Sequence, residues 1–132
     1  MEGEDEARQP VEMCKYPPLG ARSWGGASPQ LGYPQSPSRK LMNEGNRRTP
    51  AIAMIESAKG IENIDAIVKV PGLDGILIGC VDLSVDLDVI GNPEAPTMVE
   101  ALDIIGRAVD AAELYFGLGG IHRPPFSPII SR

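Results

Sequence analysis

Three short apolar runs constrain the fold of this chain more than any other feature. Ala51–Glu56 (AIAMIE), Gly75–Gly79 (GILIG) and Tyr115–Ile121 (YFGLGGI) are nearly uninterrupted in apolar character and too short for buried helices. Strands buried within a parallel sheet look like this. Between them the spacing turns helical. Ser57 is placed to cap a helix whose apolar positions are Ile61, Ile64, Ile67 and Val68, and Pro71-Gly72 then makes a turn. Thr97 with Glu100 reads as a capping box. The helix it opens runs to about Leu114, with Met98, Leu102, Ile105, Val109 and Ala112 as its stripe. Strand, helix, strand, helix, strand predicts an α/β fold on a parallel sheet with right-handed crossovers. The pattern alone leaves barrel and open sheet undecided.

Residues 1–50 read as different material from residues 51–132. The first segment holds 7 of the 13 prolines. Glu6–Lys15 predicts one amphipathic helix with Val11 and Cys14 on a face, stopped by Pro17-Pro18. Gly25–Pro50, rich in Gly, Pro, Ser and charge, predicts a long loop. The second segment, 51–132, is the β/α part, so the chain is expected to form one domain with an N-terminal helix and loop.

Charge divides along the same line. Residues 1–50 carry 6 acids and 7 bases, whereas residues 51–132 carry 12 acids and 5 bases. A net charge of −6 argues against a nucleic-acid partner, whose phosphates reward a basic face. The acidic second half is the place to look for a cation. Cys14 and Cys80 fit no metal-ligand spacing and predict reduced thiols. The opening MEGEDEA has the wrong composition for a signal or transit peptide, and no apolar run reaches the ~18 residues of a membrane span. A cytoplasmic protein with no membrane partner is the expectation.

In parallel β/α folds, ligands gather at the carboxyl ends of the strands. Glu56 closes the first apolar run, and Asp82 lies three residues beyond Gly79, which closes the second. On neighbouring strands about 4.8 Å apart, these carboxylates converge. Oxygen ligands suit a hard divalent cation such as Mg²⁺ or Mn²⁺. The structural alternative is that Glu56 merely opens a helix and Asp82 caps a turn. Gly79-Cys80-Val81-Asp82 offers a row of backbone N–H groups that can hold a carboxylate or phosphate, or is simply a strand-to-helix turn. Nothing near Cys80 in sequence lowers its pKa, so it is not favoured as a nucleophile. Gly117–Gly120 (GLGG) lacks the spacing of a dinucleotide fingerprint. His122, the single histidine, and Arg22, beside the single tryptophan, read as surface or packing residues, and Arg47-Arg48 as a solvated basic pair.

Several strings, in order, resemble the HpcH/HpaI aldolase family of class II pyruvate aldolases. They are KYPPLGARSWGG (Lys15–Gly26), AMIESAKGIENIDAIVKVPGLDGILIGCVDLSVDL (Ala53–Leu87) and YFGLGGIHRP (Tyr115–Pro124). The resemblance implies a partial (β/α) TIM-type barrel, with about four of eight parallel strands and their covering helices. It implies Glu56 and Asp82 as ligands of Mg²⁺ or Mn²⁺. Gly79, Cys80, Val81 and Asp82 would bind the substrate through backbone N–H groups near Val81 and Asp82. The activity implied is carbon–carbon lysis of 4-hydroxy-2-keto acids to pyruvate and an aldehyde, in a homo-oligomer. Two alternatives stand beside it: a non-catalytic fragment of such an aldolase, and a citrate-lyase-like enzyme acting on acyl-CoA. The family's Asp-x-Glu-His segment and substrate-binding Arg have no counterpart here, and His122 and Arg22 do not match them. Met54 stands where many members have Gln, and Cys80 where many have Pro.

Overall fold

The computed structural model of the chain describes residues 1–26, 28–34 and 36–120. Three strands, β1 (Ile52–Ile55), β2 (Gly75–Gly79) and β3 (Tyr115–Gly119), form one parallel sheet in the order β1-β2-β3. Register pairs Ala53 with Ile76 and Ile55 with Ile78, then Ile76 with Phe116 and Ile78 with Leu118. Those six side chains share one face, because side chains alternate along a strand. Against that face pack helix α1 (Glu4–Cys14) through Ala7 and Val11, α4 (Ile64–Ile67) through both ends, and α6 (Pro96–Ala111) through Met98, Ile105 and Val109. The alternate residues point to the opposite face. There Ile52 is 45%, Met54 37% and Tyr115 57% exposed, an apolar surface without a helix over it among the described residues.

The strand runs and the first helix lie where the sequence places them. Ile121, His122 and the rest of the C-terminal string fall outside the described residues. Elsewhere local chemistry overrode the pattern. The single helix expected after Ser57 is two, α3 (Ala58–Glu62) and α4, broken at Asn63, whose side chain donates to the Glu2 carbonyl at 2.8 Å. Ser57 does cap α3, its Oγ accepting from Gly60 N–H at 3.2 Å. The capping box at Thr97 is not formed. Pro96 takes the first helical position, where its missing N–H costs nothing, and Ala95 is the cap residue. Helix α5 (Cys80–Asp86) follows Gly79 directly. No strand follows Lys15 in the described residues, so the sheet has three strands where about four were expected.

The largest departure is within the expected Gly25–Pro50 loop. A 3₁₀ turn (Pro29–Leu31) and helix α2 (Arg39–Arg48) occupy it. Ser38 Oγ caps α2 by accepting from Leu41 N–H, and Glu44 pairs with Arg47 and Arg48 at helical spacing. Those arginine contacts hold the Glu44 carboxyl below its ordinary range. Buried Asn46 fixes the helix to the chain's start: its Oδ1 accepts from Tyr16 N–H at 2.6 Å and its Nδ2 donates to the Tyr16 carbonyl at 3.1 Å. Gly45 leaves room for the Tyr16 ring.

One carboxylate gathers the strand starts. Asp74 Oδ2 accepts from Ala51 N–H at 2.7 Å and from the ammonium of buried Lys15 at 2.5 Å. Its backbone N–H donates to the Ala51 carbonyl at 2.8 Å, and its carbonyl accepts from Tyr115 N–H at 2.9 Å. Lys15 also donates to the Asn46 carbonyl at 2.8 Å. Replacing Asp74 with Ala is expected to lower the unfolding free energy by about 2–3 kcal/mol, as it strands a buried ammonium and a strand N–H. The solvent-exposed Asp103–Arg107 pair is the control: Asp103→Ala should change stability by less than about 0.5 kcal/mol. Urea melts of the two variants make the comparison.

Candidate metal and keto-acid site

The two carboxylates singled out in the sequence lie at the carboxyl ends of adjacent parallel strands. Glu56 directly follows β1 and is half-buried. Its side chain lies over Gly79, the last residue of β2. A Cβ built on Gly79 would stand 2.7 Å from Glu56 Cγ and 2.8 Å from its Oε1. Glycine at the end of β2 therefore clears the space that the Glu56 carboxylate occupies. This is the most specific contact at the site.

Asp82 lies in the first turn of α5 and is exposed. A carboxylate there is favoured by the helix dipole whether or not a cation is bound. A second acid shares its helix face. Asp86, four residues on and thus on the same helix face, accepts from Ala58 N–H at 2.7 Å. The Asp82–Asp86 face of α5 is in this way turned toward the segment that follows Glu56. The signal was present in the sequence as two acids at i and i+4. That spacing carries its meaning only on the helix the structure forms there.

Gly79 caps α5, so the N–H groups of Cys80, Val81 and Asp82 belong to its first turn, where helix geometry gives them no partner within the helix. Cys80 points the other way: its side chain is 4% exposed, its Sγ lies 3.8 Å from the Ile78 carbonyl, and burial raises the thiol pKa. It is a core residue. Ser84, also buried, donates to the Val81 carbonyl at 2.7 Å. Arg22 lies far from this end, over the Tyr16 ring at 4.8 Å and near Thr49 Oγ1. Among the described residues no set of three His, Cys, Asp or Glu side chains is placed to hold a metal. A groove runs between α6 and β3, past Leu102, Arg107, Tyr115 and Phe116, and lies at the opposite end of the sheet from Gly79.

A buried thiol with a raised pKa stays protonated when the unfolded chain has lost its proton. Stability from Cys80 is thus complete below its ordinary value of 9.0 and declines as pH rises above it. Alkylation by iodoacetamide at pH 8.5 should be slow in the folded chain and rapid in urea at Cys80. Mass spectrometry of the labelled peptide distinguishes Cys80 from the less buried Cys14.

Residues 1–118 match the model of the HpcH/HpaI aldolase/citrate lyase family. A 4-hydroxy-4-methyl-2-oxoglutarate aldolase of Hapsidospora irregularis is 38% identical over 118 residues, 89% of this chain and 44% of that protein. A 4-hydroxy-2-oxovalerate aldolase of Rhodococcus jostii is 37% identical over 106 residues, 78% of this chain and 39% of that one. The crystal structure of an HpcH/HpaI aldolase from Desulfitobacterium hafniense superposes with a TM-score of 0.83 at 31% identity, covering 94% of this chain and 48% of the other. The chain thus spans less than half the length of these relatives. It belongs to the HpcH/HpaI aldolase/citrate lyase family.

Proposed function

We propose that this chain carries the metal and keto-acid half of a divalent-metal-dependent aldolase site, within a partial (β/α) barrel. The observation that carries this reading is the Glu56 carboxylate lodged over Gly79, at the carboxyl end of two paired strands. Two carboxylate groups, one half-buried and one exposed, form a donor set that fits Mg²⁺ or Mn²⁺ and leaves other positions to substrate and water. Bound there, the cation would supply a Lewis acid for the negative charge that develops on a 2-keto acid when its C3 proton leaves. Glu56 and Asp82 hold the cation. Gly79 keeps the Glu56 carboxylate in reach of it. The turn Gly79-Cys80-Val81-Asp82 receives the carboxylate of pyruvate or of the 4-hydroxy-2-keto acid cleaved to it, through the N–H groups of Val81 and Asp82. The similarity to aldolases of 4-hydroxy-2-keto acids supports this substrate class.

The test is a thermal melt followed by near-UV circular dichroism, with and without Mn²⁺ plus pyruvate. At 100 times the dissociation constant, ligand linkage raises stability by about 2.7 kcal/mol, a shift of several degrees. Glu56→Gln should erase the shift. Gly79→Ala should erase it too while the chain stays folded, because the added methyl displaces only the flexible end of Glu56. A full shift in Glu56→Gln would sink the proposal. Replacing pyruvate with acetyl-CoA separates the citrate-lyase-like alternative.

The open sheet face bears on assembly. Ile52, Met54 and Tyr115 together expose apolar surface of the kind that proteins bury in interfaces. We expect self-association, visible in sedimentation velocity as a weight-average mass that rises with concentration. The double substitution Met54→Lys and Tyr115→Lys should shift the distribution toward monomer. A monomer at every concentration for the unmodified chain would contradict the expectation.

A further inference from the structure

We propose that Asp86 is a positioning residue for the site, a staple that holds the Glu56-bearing turn against the helix that carries Asp82; this rests on the metal site proposed above. The staple is one hydrogen bond, from Ala58 N–H to Asp86 Oδ2, 2.7 Å long and spanning 28 residues. Ala58 is the first residue of α3, and its N–H has no partner within that helix. Ser57 Oγ already serves Gly60 N–H, so Asp86 satisfies a different donor of the same helix end. Glu56 lies two residues before Ala58, in extended backbone fixed by Ser57 at φ −143° and ψ 156°. Asp82 lies one helical turn before Asp86 on the same face of α5. The bond therefore locks the spacing between the two elements from which the two carboxylates project.

Nothing else among the hydrogen bonds and ion pairs described joins α5 to the β1–α3 turn. The alternative role for Asp86 is plain: an exposed acid at a helix start contributes favourable charge to that end. The two roles part company on three substitutions. Asp86→Ala removes acceptor and charge together. Asp86→Asn keeps an acceptor oxygen and removes the charge. Ala58→Pro removes the donor from the other side and should fold, since proline suits the first helical position and the extended Ser57 before it tolerates proline.

The measurement is Mn²⁺ binding by the full chain, read from the loss of the free-ion EPR signal on titration, with far-UV circular dichroism confirming the helices. Losses of partners that orient metal ligands run to 10–100-fold in affinity. Asp86→Ala and Ala58→Pro should each weaken Mn²⁺ by about tenfold. Asp86→Asn should restore most of the affinity. The double variant should be no weaker than either single one, because both remove the same bond. Asp86→Asn as weak as Asp86→Ala, or additive losses in the double variant, would overturn the staple and leave a charge effect. Wild-type affinity in Ala58→Pro would overturn it as well. Glu56→Gln is measured alongside: if it binds Mn²⁺ as tightly as the unmodified chain, the metal site itself is wrong. A loss in Glu56→Gln with none in Asp86→Ala would reject the staple alone.

Discussion

The arrangement depends most on the ion pair between buried Lys15 and half-buried Asp74. An ammonium taken out of water is tolerated only where its charge is met and its protons are bonded. Here both needs are answered at the end of the sheet where the strands begin. Asp74 binds the Lys15 ammonium while holding the Ala51 backbone at its N–H and carbonyl and the Tyr115 backbone through its own carbonyl. One residue sets the relative height of β1, β2 and β3 and fastens the end of α1 beneath them. The register that brings Glu56 beside Gly79 at the opposite end follows from this alignment.

Much of the fold was legible because its signals are local. Buried runs such as GILIG have one economical solution, and Ser57 with its following apolar repeat announces a helix start. What escaped was structure held by long-range contacts. Helix α2 has no apolar stripe to betray it. Its stability comes from the Ser38 cap, the Glu44 pairs and the grip of Asn46 on Tyr16, which lies 30 residues away. Thr97 and Glu100 had the letters of a capping box, yet the φ already fixed by Pro96 started the helix two residues earlier, with Ala95 as its cap. Lys15 and Asp74 look like ordinary surface charges in sequence, since nothing local says that they meet.

The site was legible in part for a different reason. Acids after strand ends are easy to find, and Glu56 and Asp82 were singled out as candidates that way. The contact between Glu56 and Gly79 could be anticipated only as proximity of strand ends, whereas its atomic content, a glycine hydrogen making way for a carboxylate, needed coordinates. The burial of Cys80 likewise settles that residue as part of the packing, so the turn presents backbone rather than a reactive sulfur.

The parallel register has a consequence for the order in which the molecule can form. Ile52 pairs with Gly75, 23 residues later, and Gly75 with Tyr115, a further 40 residues on. Lys15 waits for a partner 59 residues downstream. Among the described strands no pairing is a hairpin, so each must first close a long loop. A nascent chain can build α1 as soon as it emerges, but the lysine at its end stays solvated until Asp74 has been made. Only when Tyr115 arrives can the sheet finish and the α6 stripe be covered. Among the described strands β3 is the last to be made, so the sheet β1-β2-β3 closes only when that segment is present.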